Sequence, residues 1–123
     1  ATNRLMVGYP SAGSGNELGV VIFRATVRTL DAEYARVAAR MRELALSRFG
    51  CIEFHAVTEG MHEIALSYWP SEEAIHAWTA HPEHVLAQQA GRERWYASYS
   101  VQVAEISRAY RVSGAEEPAG RAP

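Results

Sequence analysis

The sequence predicts an α+β fold of split β-α-β order, β-α-β-β-α-α-β, within one domain. Three observations carry this expectation. Apolar residues alternate with period two in three stretches and occupy both faces of a fourth, one long intervening segment has a period near 3.6, and a glycine turn joins the two middle strands.

Residues 1–17, "ATNRLMVGYPSAGSGNE", set Pro10, Gly13 and Gly15 among small polar residues and read as a flexible arm, so the domain is expected over 18–112. The first strand is "VVIFRATVR" (20–28), with Val21, Phe23, Ala25 and Val27 on one face and Arg24 and Thr26 on the other. From Asp31, a residue suited to an N-cap, the positions Tyr34, Val37, Met41, Leu44 and Arg48 recur at steps of three and four up to Gly50. That spacing predicts an amphipathic helix.

Two further strands are expected over 51–58 and 61–69, joined across Glu59-Gly60, where glycine admits the backbone angles of a hairpin. Ile52, Phe54 and Ala56 share a face of the first, and Ile64, Leu66 and Tyr68 share a face of the second. Pro70 ends the strand, Ser71 caps a short helix, and Glu72 and Glu73 lie where the helix dipole favours negative charge. Pro82 then opens a second helix, expected to run to about Ser98. A last strand is expected over 100–112, followed by a disordered tail over 113–123.

This order is the ferredoxin-like one, a sheet with helices on one face. The other face keeps some combination of Tyr68 or Trp69, Val57, Val101 and Val103, which a lone subunit would leave wet. A second copy is the natural cover, so a homodimer is expected.

Composition bounds the function. Of the 123 residues, 48% are apolar and 21% charged, the balance of a globular protein. No run is long enough to span a bilayer and the start lacks the pattern of a signal peptide, so a cytoplasmic location without membrane association is expected. The single cysteine, Cys51, rules out an intrachain disulfide and reads as a small buried hydrophobe. A net charge of −2, with twelve basic residues that form no run, argues against a nucleic-acid partner.

With this layout in view, residues 65–110 resemble the antibiotic biosynthesis monooxygenase family of dimeric α/β barrels. The similarity is densest in "YWPSEEAIHAW" and continues in "HPEH" and "GRERWYASY". It implies a homodimeric barrel with a cleft between helices and sheet in each subunit. Some relatives oxidise polycyclic aromatic molecules with molecular oxygen and neither metal nor flavin. A related branch binds and degrades haem through a helical Trp, an axial His ten residues later and an Asn on the first strand. Trp78 fits the first of these, but position 88 is Gln and the first strand has no Asn. Haem is therefore expected only if His84 ligates iron from one turn earlier.

The helix from Pro82 places His84, Gln88, Gly91 and Trp95 on one line. A mid-helix glycine costs about 1 kcal/mol relative to alanine, so Gly91 admits either a ligand or a neighbouring backbone. Trp78 and Trp95 read as core, as cleft walls, or as both. His81 and His84 are three apart, within reach of a shared metal ion; His81, just before Pro82, reads more simply as an N-cap, and no metal is expected. His84, neutral near pH 7, is the candidate general base. Arg24, if buried, needs Glu53, Glu63 or Glu105 as a partner, and in the cleft it would stabilise a substrate anion.

The resulting reading is a small dimeric, oxygen-dependent monooxygenase acting on a flat aromatic or polyketide-like molecule without metal or flavin. Its catalytic candidates are His84, Arg24 and Trp78. Gln88, Gly91, Trp95, Tyr68, Phe54 and His55 are the substrate-binding candidates. The alternatives are a non-catalytic ligand-binding or housekeeping dimer and a haem-binding relative.

Overall fold

The structure, a computed structural model, describes residues 18–114. The arm expected over 1–17 lies outside the described residues, as does the expected tail beyond residue 114. The elements are β1 (Gly19–Val27), α1 (Ala32–Arg48), β2 (Glu53–Glu59), β3 (His62–Trp69), α2 (Glu72–Thr79), α3 (Pro82–Ala90), a π-helical turn (Gly91–Trp95) and β4 (Tyr96–Glu105). The four strands form one antiparallel sheet in the order β2-β3-β1-β4. This is the α+β, ferredoxin-like order that the sequence predicts.

Helix starts lie where capping chemistry puts them. The Asp31 carboxylate accepts the Tyr34 amide at 2.8 Å, the Ser71 hydroxyl accepts that of Ala74 at 3.1 Å, and His81 Nδ1 accepts that of Glu83 at 3.1 Å ahead of Pro82. Gly60, at φ 61°, opens the two-residue turn of the hairpin. After α1, Gly50 at φ 83° reverses the chain, and the Cys51 amide reaches back to the Ala45 carbonyl at 2.9 Å.

One sheet face carries the helices. Val21 on β1 and Trp69 on β3 pack there against Met41, Leu44 and Ala45 of α1, Ile75 and Trp78 of α2, and the buried Cys51. Leu44, Ala45 and Trp69 are 1%, 0% and 0% exposed, which puts the centre of the core between α1 and the end of β3. The Trp69 and Trp78 rings lie 5.0 Å apart, and the Trp78 indole donates to the Met41 carbonyl. A bidentate contact from Arg40 to Glu83, at 2.9 and 3.2 Å, ties α1 to the first turn of α3.

Two expectations are corrected, and the register decides which side of the sheet each row of side chains takes. Alternation along β3 turns Glu63, Ser67 and Trp69 toward the helices, whereas Ile64, Leu66 and Tyr68 take the helix-free face. Tyr68 and Val57 accordingly share the helix-free face, while Val101 and Val103, in register with Phe23 and Val21, take the helix side. The chain is also not helical to Ser98: pairing with β1 draws it into β4 from Tyr96, and a π turn makes the transition. Finally, β4 ends at Glu105 rather than at Val112, because its partner strand ends at the Gly19–Glu105 pair and only Ile106 continues, donating to the Leu18 carbonyl. No described helix is long and apolar enough to cross a membrane.

Candidate functional site

Between the helices and the sheet lies a cavity of about 380 Å³, large enough for one small molecule. Its floor is the helix-facing row of the sheet: Phe54 and Ala56 on β2, Glu63, Ala65 and Ser67 on β3, Val21 and Phe23 on β1, and Tyr99 and Val101 on β4. Its roof is Tyr34, Val37 and Met41 of α1, Trp78 of α2, and His84, Ala87 and Gln88 of α3. Gly91, Trp95 and Tyr96 close one end.

The line predicted on the helix from Pro82 therefore does face a cavity, since His84, Gln88, Gly91 and Trp95 all line it. Trp78 and Phe54 do so as well, their rings 6.1 Å apart and nearly perpendicular. Both tryptophans are also core, at 6% and 3% exposure for Trp78 and Trp95. The core and wall readings hold together.

Three predicted residues are not brought to this cavity. Arg24 stands on the helix-free face of β1 and is exposed, with no ion-pair partner among the described residues, so it cannot stabilise an anion in the cavity. Tyr68 shares that face for the reason given by the register of β3. His55 is exposed on β2, its Nε2 3.1 Å from a Glu53 carboxylate oxygen, and this contact, with Arg111, lowers the Glu53 pKa. A strand pattern separates two faces but does not say which one the helices cover.

Two polar poles interrupt the apolar walls. At the first, His84 packs its ring edge-on to Trp78 at 4.4 Å, and its buried Nδ1 has no hydrogen-bond partner. Burial lowers the His84 pKa below 6.5, and the nearby His81 adds to this, so the imidazole is neutral at pH 7. At the second, Glu63, 7% exposed, accepts a hydrogen bond from the Tyr34 hydroxyl. Tyr96 and Tyr34 are within ring contact at 6.2 Å; burial pushes the Tyr34 hydroxyl far up and the Tyr96 hydroxyl up to about 12. Reading the sequence for sites misses this second pole. The available signal is that Glu63 lies an even number of steps from the inward Trp69.

Gly91 serves packing as well as the cavity. A Cβ there would sit 2.9 and 3.0 Å from two carbons of the Tyr96 ring, inside contact distance. The π turn that Gly91 opens carries Trp95, whose indole donates to Asp31 at 3.2 Å and whose carbonyl accepts the Arg28 and Thr29 amides at 2.7 and 3.2 Å. The turn thus pins the end of the cavity to β1 and to the cap of α1. His81 is occupied by its cap. Among the described residues no group of three His, Cys, Asp or Glu side chains is placed to hold a metal ion.

The neutral state of His84 makes a prediction for stability. Its pKa is depressed on folding, so its contribution is present above the unfolded value of 6.5 and is lost as pH falls through that value toward the folded one. Melting temperature should decline between about pH 7.5 and 5.5, above the carboxylate range, and His84→Gln should flatten that decline. Equal slopes for the two proteins would show that the ring ionises without cost.

No family model matches the sequence. YqjZ, an uncharacterized protein of Bacillus subtilis strain 168, is 39% identical over 89 residues, which span 72% of this chain and 78% of that protein. Among solved structures, a variant of SnoaB, a cofactor-independent oxygenase from Streptomyces nogalater, superposes with a TM-score of 0.64 at 18% identity, over 75% of this chain and 95% of that one. A protein of Nitrosomonas europaea, provisionally assigned as an antibiotic biosynthesis monooxygenase, gives 0.63 at 10% identity over 75% and 92%. A conserved protein from Methanosarcina mazei Go1 gives 0.63 at 14% identity over 84% and 100%.

Proposed function

Because the chain belongs to one family with YqjZ and has the fold of the antibiotic biosynthesis monooxygenases, we propose that it is a small oxygen-dependent monooxygenase acting on a flat aromatic or polyketide-like molecule. The observation that carries this reading is the cavity itself, walled by Trp78, Trp95 and Phe54 and lined by His84, a neutral histidine. The indoles stack on the substrate, Gln88 and Gly91 shape the wall beside it, and His84 takes the proton that leaves an electron-rich anion. That anion supplies the electrons that reduce oxygen, so molecular oxygen is the co-substrate and no metal or flavin is required. For a phenol oxidised to a quinone the balance closes: one oxygen atom enters the ring, the other leaves as water, and the substrate gives up four electrons. The protein acts as a homodimer in the cytoplasm, its helix-free faces, with Ile64, Leu66 and Tyr68, turned toward each other; light scattering that gives the mass of a single chain would overturn the dimer.

The test is oxygen uptake by chelator-treated protein with a set of hydroxylated fused-ring aromatics. One oxygen molecule consumed per product formed is expected, with a loss of about 10²–10⁴-fold in His84→Gln if the imidazole is the base. Saturable binding without uptake across the set would instead make the protein a non-catalytic ligand carrier.

A further inference from the structure

At the pole formed by Glu63 lies a carboxyl group that the oxidation above does not use. Glu63 is buried and lines the cavity, and Tyr34 donates to one of its oxygens. The ion pairs among the described residues involve Glu33, Glu43, Glu53 and Glu83, and none involves Glu63. A buried carboxylate ordinarily keeps a cation or several donors, whereas the side-chain donor to Glu63 among the described residues is the Tyr34 phenol.

The charged groups nearby sharpen the point. Arg42 is the arginine that lines the cavity, and it is exposed, its guanidinium carbon 6.0 Å from the Phe54 ring centroid. Phe54 is in register with Ser67, which lies ~13 Å along β3 from Glu63. His84 is neutral, and the charge of Glu63 contributes to the upward displacement of both Tyr34 and Tyr96. An anion brought to this end meets like charge without a cation, whereas a hydroxyl would supply the donor that the carboxylate lacks.

We propose that Glu63 selects the ligand: it accepts a hydrogen bond from an uncharged hydroxylated aromatic, Tyr34 holds it in position, and aromatic carboxylates are turned away. This rests on reading the cavity as a site for flat aromatics. It adds the requirement of a neutral hydroxyl at the end of the cavity lined by Tyr34 and Tyr96.

Calorimetric titration near pH 7 with naphthol, its methyl ether and naphthoate tests both levels. The wild type should bind naphthol about tenfold or more tighter than the ether, the value of one hydrogen bond to a charged group, and naphthoate most weakly. Glu63→Gln should lose most of the hydroxyl preference and bind naphthoate better than the wild type does, because the amide carries no charge and can donate. Tyr34→Phe, which keeps the carboxylate, should weaken the hydroxyl preference but still exclude naphthoate; it serves if Glu63→Gln does not fold. Equal binding of all three probes by the wild type, or an unchanged ranking in the variants, overturns the role of Glu63 while leaving the aromatic site intact. Failure of every probe to bind overturns both.

Discussion

Trp69→Ala should remove about 3–5 kcal/mol of stability, the range for truncating a buried Trp or Phe. For a domain of about 100 residues that corresponds to a fall in Tm of more than about 12 °C. Trp69 is 0% exposed and lies at the centre of the core cluster, against Trp78 at 5.0 Å. Its indole also donates to the Ser67 hydroxyl at 2.8 Å, and Ser67 is itself buried at 3% exposure. Truncation therefore opens a void and leaves a buried hydroxyl without its donor, and both effects have the same sign. Chemical denaturation with an unchanged slope is the check. A loss below about 1 kcal/mol would mean that the surrounding helices collapse into the space, contrary to close packing between α1, α2 and β3.

Gly91→Leu is the second large effect, and it acts on stability and binding together. The sequence leaves two uses of Gly91 open, a ligand wall or a packing contact; the structure has both, because Gly91 lines the cavity and a Cβ would already meet the Tyr96 ring at 2.9 Å. Overpacking at such a position typically costs 1–3 kcal/mol. The added side chain must displace Tyr96, which packs on Phe23 at 5.4 Å, or occupy the cavity. Lower stability with loss of binding of a planar aromatic probe is expected, while Gly91→Ala should show a smaller fall in stability and retain part of the binding. An unchanged melting point in the leucine variant would contradict the placement of Tyr96.

The legible parts of the fold are those governed by local chemistry. Asp31, Ser71, His81-Pro82 and Gly60 each satisfy a backbone requirement within a few residues, and each lies where that requirement predicts. The line His84, Gln88, Gly91 and Trp95 faces the cavity even though the last step falls in a π turn, because the widened turn still brings Trp95 inward. What is not legible depends on distant partners. Tyr96 to Ser98 join a strand because β1 offers them hydrogen bonds, which no pattern within the segment reveals. On β3, the more apolar row of Ile64, Leu66 and Tyr68 turns away from the helices, and the row with Glu63 and Ser67 turns toward them. Hydrophobicity alone favours the opposite choice. The same ambiguity sends Arg24, Tyr68 and His55 away from the cavity and hides the contact between Tyr34 and Glu63, residues 29 positions apart in sequence.

The proposed small-molecule site is the space between the helices and the sheet, and a crystal structure with a hydroxylated fused-ring aromatic bound would locate the ligand outright. The ring system should lie against Trp78 and Trp95, with His84 beside it and the hydroxyl toward Glu63. A ligand found instead on the helix-free face, beside Arg24 and Tyr68, with the cavity undisturbed, would contradict that placement.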